Sequence, residues 1–161
     1  MQQIFITSDT HFHHANIIKY CNRPFNDTFE MDETLIKNWN SVVKPGDKVY
    51  HLGDVYFPKY KNESEMLFNR LNGTKVLILG NHDAGKDQVL LKHFSRIYMW
   101  RFLKEFKLLL THVPVHQGSL SAKLKWNVHG HIHNRESPEG PYKNACVEMN
   151  NYTPQPIESF M

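Results

Sequence analysis

"TKVLILGNHDAG", residues 74–85, is the stretch whose reading decides the fold. Thr74–Leu79 is a short, mostly apolar run bounded by turn formers, the pattern of a strand buried on both faces. Directly after it the chain turns polar, with Gly80, Asn81, His82 and Asp83. In open α/β sheets, ligands bind in the crevice outside the carboxyl ends of the strands. Asn, His and Asp at that position therefore raise one question: do the other strands end in the same way?

They do. A strand over Ile4–Thr7 is followed by "SDTHFHH", with Asp9 and His11. Lys48–Leu52 is followed by "LGDVY", with Asp54. Phe106–Leu110 leads to His112 in "THVPV", and Lys125–Val128 leads to His131 and His133 in "HGHIHN". Helices are expected between the strands. Asp32–Val43 carries Leu35, Ile36, Trp39, Val42 and Val43 at helical spacing and is stopped by "KPGD". Ser64–Leu71 reads as a helix capped near Asn62 or Ser64 and ended by Asn72-Gly73, and Asp87–Phe94 as a shorter one. Arg96–Phe102 and Phe106–Leu110 read as a hairpin turning near Lys104-Glu105, and Tyr142–Met149 as a late strand. Apolar strands interleaved with helices predict an α/β fold.

The bulk numbers suit one domain over residues 1–161, with 40% hydrophobic and 22% charged residues. A net charge of +3 admits an anionic substrate without requiring a nucleic acid. Cys21 and Cys146 are far apart and form no metal-like pair, so reduced thiols and a cytoplasmic location are expected. No signal peptide is legible at the N-terminus, and no run approaches a membrane span. The outlier is histidine, with 11 in the chain.

Asp, Asn and His offer oxygen and nitrogen donors without thiolate. Such a set suits Mn²⁺, Fe²⁺, Zn²⁺, Ni²⁺ or Mg²⁺ and argues against an iron–sulfur cluster. The groups are too many for one tetrahedral zinc and enough for two ions sharing a carboxylate. Two ions about 3.5–4 Å apart generate hydroxide and clamp an in-line phosphoryl displacement. Hydrolysis of a phosphate ester follows as the expected chemistry.

Asp9-Thr10-His11, Gly53-Asp54, Gly80-Asn81-His82-Asp83, His112 and Gly130-His131-Ile132-His133 occur in the order D-x-H, GD, GNHD, H, GHxH. That ordered set resembles the calcineurin-like metallophosphoesterase superfamily, and "NRPFND" and "MDETLIKNWN" resemble a compact bacterial and phage branch of it. The resemblance implies two mixed β-sheets packed as a sandwich and flanked by helices in four layers. It also implies two divalent ions, Mn²⁺ favoured. Asp9, His11 and His133 would hold one ion. Asn81, His112 and His131 would hold the other, and Asp54 would bridge them. His82 would be the general acid and Asp83 would orient its ring. Protein phosphatases of this superfamily continue "GDxVDRG", whereas this chain reads "GDVYFPK", which counts against a protein phosphatase.

Each residue has a plainer reading. Asp9 could cap a turn, Asp54 could sit in a Gly-Asp turn, and Asn81 is a common turn former. Taken together, the blocks make these readings poor. Arg23 in "CNRPF" has two balanced readings, a bidentate phosphate grip or a surface ion pair. Asn16 and Arg135 are weaker candidates for the same grip, and His116 for contact at the rim. His51 reads as a core residue, His93 as a helix-surface residue and His129 as a support to the turn after it. The lysines of "RFLKEFK" and "KLK" read as a solvated face. Expected partners are a small phosphoester or nucleotide, with nucleic acid admissible, no membrane, and a homodimer as one way of closing an open pocket. The leading expectation is a dinuclear phosphodiesterase. Its alternatives are a small-molecule phosphomonoesterase and a metal-holding scaffold that turns nothing over.

Overall fold

The structure, a computed structural model, describes residues 2–161. Its elements run β1 (Ile4–Thr7), α1 (Ala15–Tyr20), α2 (Thr28–Val42), β2 (Lys48–His51), α3 (Lys61–Phe68), β3 (Thr74–Ile78), α4 (Gln88–His93), β4 (Arg96–Tyr98), β5 (Arg101–Leu103), β6 (Leu108–Leu110), β7 (Trp126–His129), β8 (Tyr142–Asn144) and β9 (Gln155–Pro156), joined by loops and short 3₁₀ turns. They form two sheets, ordered β4-β3-β2-β1-β9 and β5-β6-β7-β8. In the first sheet β1 to β4 are parallel and β9 antiparallel. In the second, β6, β7 and β8 are parallel and β5 antiparallel. Both sheets are mixed.

The first sheet is buried on both faces, which explains its continuous apolar strands. Phe5, Val49 and Leu77 pack outward against Met31, Leu35, Ile36 and Trp39 of α2, Leu67 and Phe68 of α3 and Leu90 of α4. Ile6, Tyr50, Val76 and Ile78 pack inward against Leu103, Leu108, Leu110 and Val128 of the second sheet. The outer face of the second sheet is the more open side of this layered fold. Among the described residues no α-helix covers it, and the loop over residues 111–125, with one 3₁₀ turn at Gln117–Ser119, lies there instead.

Several boundaries moved from those predicted. Helix α2 begins a turn earlier than Asp32 because Asp27 caps it, accepting from Glu30 N at 2.8 Å. Glu30 reaches back to Asn26 N, a variant of the capping box. Helix α3 starts at Lys61, before both predicted caps, continuing from a 3₁₀ turn at Pro58–Tyr60. The predicted strand Arg96–Phe102 is two strands. β4 pairs with β3 in the first sheet and β5 with β6 in the second, and the chain crosses between sheets at Met99 and Trp100. Apolar patterning continues through the crossover, so periodicity could not reveal it. The late strand stops at Asn144, whose side chain accepts from Cys146 N at 2.9 Å and turns the chain into a 3₁₀ turn.

Candidate active site

The parallel strands point their carboxyl ends the same way, and the loops after β1, β2, β3, β6 and β7 meet at one edge of the sandwich. Backbone bonds stitch them there: Asp9 N to Gly53 O at 2.9 Å, Gly130 N to His112 O at 2.8 Å and Val147 N to Ser8 O at 3.1 Å. These loops are strained. Asp9, His11, Asp54, His131 and His133 all hold φ between +49° and +70°, a region that costs an L-residue roughly 1–2 kcal/mol. Strain of this kind concentrates at functional sites.

Two groups of donor atoms result: Asp9 with His11 and His133, and Asp54 with His112 and His131. Asp9 Oδ2 is saturated by the Ser8 hydroxyl, His131 N at 2.9 Å and the Cys146 thiol at 3.3 Å. Its Oδ1 is buried with no hydrogen-bond partner, and so is His11 Nε2. Asp9 Oδ1 stands 3.8 Å from His11 Nε2 and 3.7 Å from His133 Nε2. His133 directs Nδ1 at Glu148 Oε1, 2.9 Å away, which turns its Nε2 lone pair toward Asp9. On the other side His112 gives its Nδ1 proton to Leu52 O at 2.7 Å. Its Nε2 then faces Asn81 Oδ1 at 2.9 Å and Asp54 Oδ2 at 3.5 Å.

Carboxylate oxygens and ring nitrogens converge at both points, and a cation would satisfy them together. Donors about 2.0–2.2 Å from one ion stand roughly 3–3.5 Å apart, so the residues fit two divalent ions with modest tightening. Asp54 Oδ2 lies 3.5 Å from both His11 Nε2 and His112 Nε2, the position of a shared ligand. A third donor group, Cys21, His133 and Glu148, borrows His133 from the first, and its Glu148 is already paired with Arg23.

Ionisation divides the donor set. Burial opposes charge on Asp9, but His11, His112 and His133 outweigh it and hold the carboxyl well below the usual range. Asp54 is lowered too, with His112 outweighing burial. Burial and the neighbouring His112 keep the pKa of His131 down. His112 and His133 go the other way: burial opposes their charge, but Asp54 and Asp9 beside His112, and Cys21 and Glu148 beside His133, outweigh it and raise both, His133 to about 10, so a metal would have to displace those protons to bind.

His82 sits at the mouth, its side chain 59% exposed and its Nε2 4.0 Å from Asp54 Oδ2. Its backbone N–H donates to Asp54 Oδ1 at 2.9 Å, which ties the two loops together. The cleft, about 460 Å³, is lined by His11, His14, Tyr20, His82, His133 and Arg135 among others. His14 stacks on Phe57, and burial beside His11 and His82 lowers its pKa to about 4.

Four expectations are corrected. Arg23 neither grips phosphate nor lies on the surface. It is 4% exposed, donates to the carbonyls of Asp9 and Thr10 at 2.7 and 2.9 Å, and pairs with Glu148 at 2.7 Å. Asp83 does not hold the His82 ring. Its carboxylate accepts from the backbone of Asp54, Val55 and Gly80 at 2.8, 3.0 and 2.9 Å, bracing the loops after β2 and β3. Asn16 and His116 are exposed outside the lining of the cleft, and His116 accepts from Gly118 N at the 3₁₀ turn. Gly130 supplies space beside the site, since a Cβ there would overlap Asp9 Oδ2 and Ser8 Oγ.

His51 is a core residue, buried and bonded to Thr10 Oγ1 at 2.9 Å. His129 is fully buried and meets Ser137 Oγ at 2.9 Å. His93 is only half on the surface, packed on Phe68 with its Nε2 buried. Glu148, Cys146 and Ser8 escaped the sequence reading. An acid in the apolar run "ACVEMN" was the available signal for Glu148.

Two packed mixed sheets, with two adjoining carboxylate–histidine cradles at the strand ends, define the class as a metal-dependent hydrolase. The family model for calcineurin-like phosphoesterases matches residues 3–153, and the chain belongs to that family. It is similar to an uncharacterized protein of Methanocaldococcus jannaschii, 40% identical over 98% of this chain and 89% of that protein. It is also similar to the gene 66 protein of Mycobacterium phage L5, 39% identical over 52% of this chain and 41% of that protein. The crystal structure of a protein of unknown function from Aquifex aeolicus superposes with a TM-score of 0.79 at 28% identity, covering 99% of this chain and 97% of that one. The family makes the chain a metal-dependent phosphoester hydrolase. No helix among the described residues is long and apolar enough to cross a membrane.

Proposed function

We propose that the chain is a cytoplasmic phosphodiesterase acting on nucleotide-derived or nucleic-acid esters, with Mn²⁺ as its ion. The observation that carries this reading is His82, an imidazole at the cleft mouth tethered through its backbone to Asp54 and free of any side-chain bond that would occupy its ring. When bound, two divalent ions polarise the phosphoryl oxygens and lower the pKa of water. Asp9, His11 and His133 would hold one, Asn81, His112 and His131 the other, with Asp54 shared. As the P–O bond to the leaving group breaks, His82 Nε2 delivers the proton that an alkoxide needs. Asp54 ties the loop that carries His82 through its amide. Arg135 lines the rim of the cleft, where it would add one positive charge facing an anionic ester. Buried free Cys21 and Cys146 accord with a reducing compartment.

A substrate panel tests the reading. With Mn²⁺, kcat/KM for an aryl diester, cyclic nucleotides and short oligonucleotides is compared with that for an aryl monoester. Diesters should lead by at least tenfold. A monoester preference would overturn the proposal in favour of the monoesterase, and no turnover with two ions bound would favour the scaffold.

A further inference from the structure

The outer face of the second sheet, left without a helix, carries a groove. Phe102 and Leu109 pair in register across β5 and β6, and with Thr111, Val115, Met99 and Trp100 they line an apolar depression of about 540 Å³. A second depression of about 730 Å³ continues from it, sharing Phe102 and Leu124 and carrying Lys104, Lys107, Lys123 and Lys125. In the sequence these lysines form two separate runs. The fold brings them round one hollow, because Lys125 N donates to Lys107 O at 2.8 Å where β6 and β7 begin. The lysines and arginines that do form ion pairs among the described residues are Arg23, Lys61, Arg70 and Lys92, none of them here. Glu105, in the same turn, neutralises none of the four at salt-bridge distance.

The occupant is constrained by charge, shape and position. A twofold contact with a second copy would set the lysines against themselves. An anion is required instead, and one that also covers apolar surface, since Trp100 is 61% and Met99 70% exposed. Bases stacked on an aromatic side chain beside lysine-bound phosphates meet both needs. The groove also leads somewhere. It runs along β6 for about 13 Å, from Lys107 to Thr111, and the next residue is His112 of the second donor group. We propose that this groove binds single-stranded nucleic acid and directs it toward the cleft; the choice of a nucleic acid among anions rests on the phosphodiesterase reading above.

The test uses the full chain in EDTA, so that no strand is cut, and a fluorescent single-stranded 12-mer. The strand should bind and quench Trp100 fluorescence. Lys107→Ala/Lys125→Ala and, separately, Trp100→Ala should each weaken it tenfold or more. The double lysine variant should also flatten the salt dependence by about 1.4 in log–log slope. A duplex of equal length and polyglutamate should bind at least tenfold more weakly. Hydrolysis of bis(nitrophenyl) phosphate by the Mn²⁺-loaded variants should match the parent, because these residues lie outside the cleft. Equal binding of polyglutamate, or strand binding indifferent to both variants, overturns the groove. So does self-association lost in Trp100→Ala with no strand binding. A parent that cleaves the small diester but binds no strand removes the groove and leaves the phosphodiesterase. A parent that binds strands through Trp100 and hydrolyses no ester supports the groove and removes the phosphodiesterase.

Discussion

Glu148 Oε1 lies 2.9 Å from His133 Nδ1, and the same oxygen accepts from Arg23 Nη2 at 2.7 Å. The carboxylate fixes which nitrogen of His133 faces Asp9, and Arg23 fixes the carboxylate. Arg23 also holds the carbonyls of Asp9 and Thr10. One buried guanidinium thus joins the loop after β1 to the turn after β8 and, through Glu148, to His133 in the loop after β7. Carboxylate partners of ligating histidines typically contribute 10–100-fold to metal affinity.

Glu148→Gln should therefore bind one ion about 10–100-fold more weakly while the second ion stays near parent affinity, read by calorimetry or metal-buffer titration. Arg23→Ala should do more harm. It strands the buried Glu148 charge, a loss of about 3–5 kcal/mol, visible as a lower Tm in metal-free protein. Unchanged Tm with a raised KM would restore the phosphate-grip reading of Arg23.

Asp54 Oδ2 stands 3.5 Å from one histidine of each donor group, where a shared ligand would stand, and its substitution tests the two-ion site directly. Asp54→Asn preserves an oxygen for His82 N and removes the charge. Elemental analysis should then fall from two ions per chain to fewer than one. Chelation of the parent should lower Tm, since ions that bind only the folded state stabilise it by mass action. A single ion indifferent to Asp54→Asn would defeat the shared-ligand geometry.

The strand-end residues were legible because each motif follows a short apolar run, and parallel pairing must then gather the motifs at one edge. What could not be read was the backbone strain and the support. Asp and His are among the residue types that tolerate positive φ, but tolerance does not say which of them adopts it, and Glu148 stands 125 positions from the Arg23 it pairs with. The crossover at Met99–Trp100 was hidden for a related reason. Alternation tells which face a residue takes, not which sheet it joins.

Asp83 shows how a motif residue can be placed correctly and given the wrong task. Its carboxylate holds three backbone N–H groups from two loops, and hydrogen bonds to a charged acceptor contribute about 1.5–3 kcal/mol each. Asp83→Ala should lower Tm in metal-free protein and loosen the ions bound near Asp54 and Asn81. The loss of turnover should be the same for good and poor leaving groups. A loss confined to poor leaving groups would return Asp83 to the side of the His82 ring.

His82 gives the sharpest test of mechanism. Its amide is engaged with Asp54 Oδ1, but its ring is open to the cleft, so on the proposed mechanism His82→Ala would remove the proton donor and leave the ligands. Both ions should remain bound. Turnover of alkyl or nucleotide diesters should fall by about 10²–10⁴-fold, the usual contribution of a general acid. Nitrophenolate departs without a proton, so the same variant should lose far less against a nitrophenyl diester. If both esters slow equally, the ring stabilises charge on the phosphoryl oxygens instead of protonating the leaving group. If an ion is lost, the 4.0 Å between His82 Nε2 and Asp54 Oδ2 closes on metal binding and His82 is a ligand.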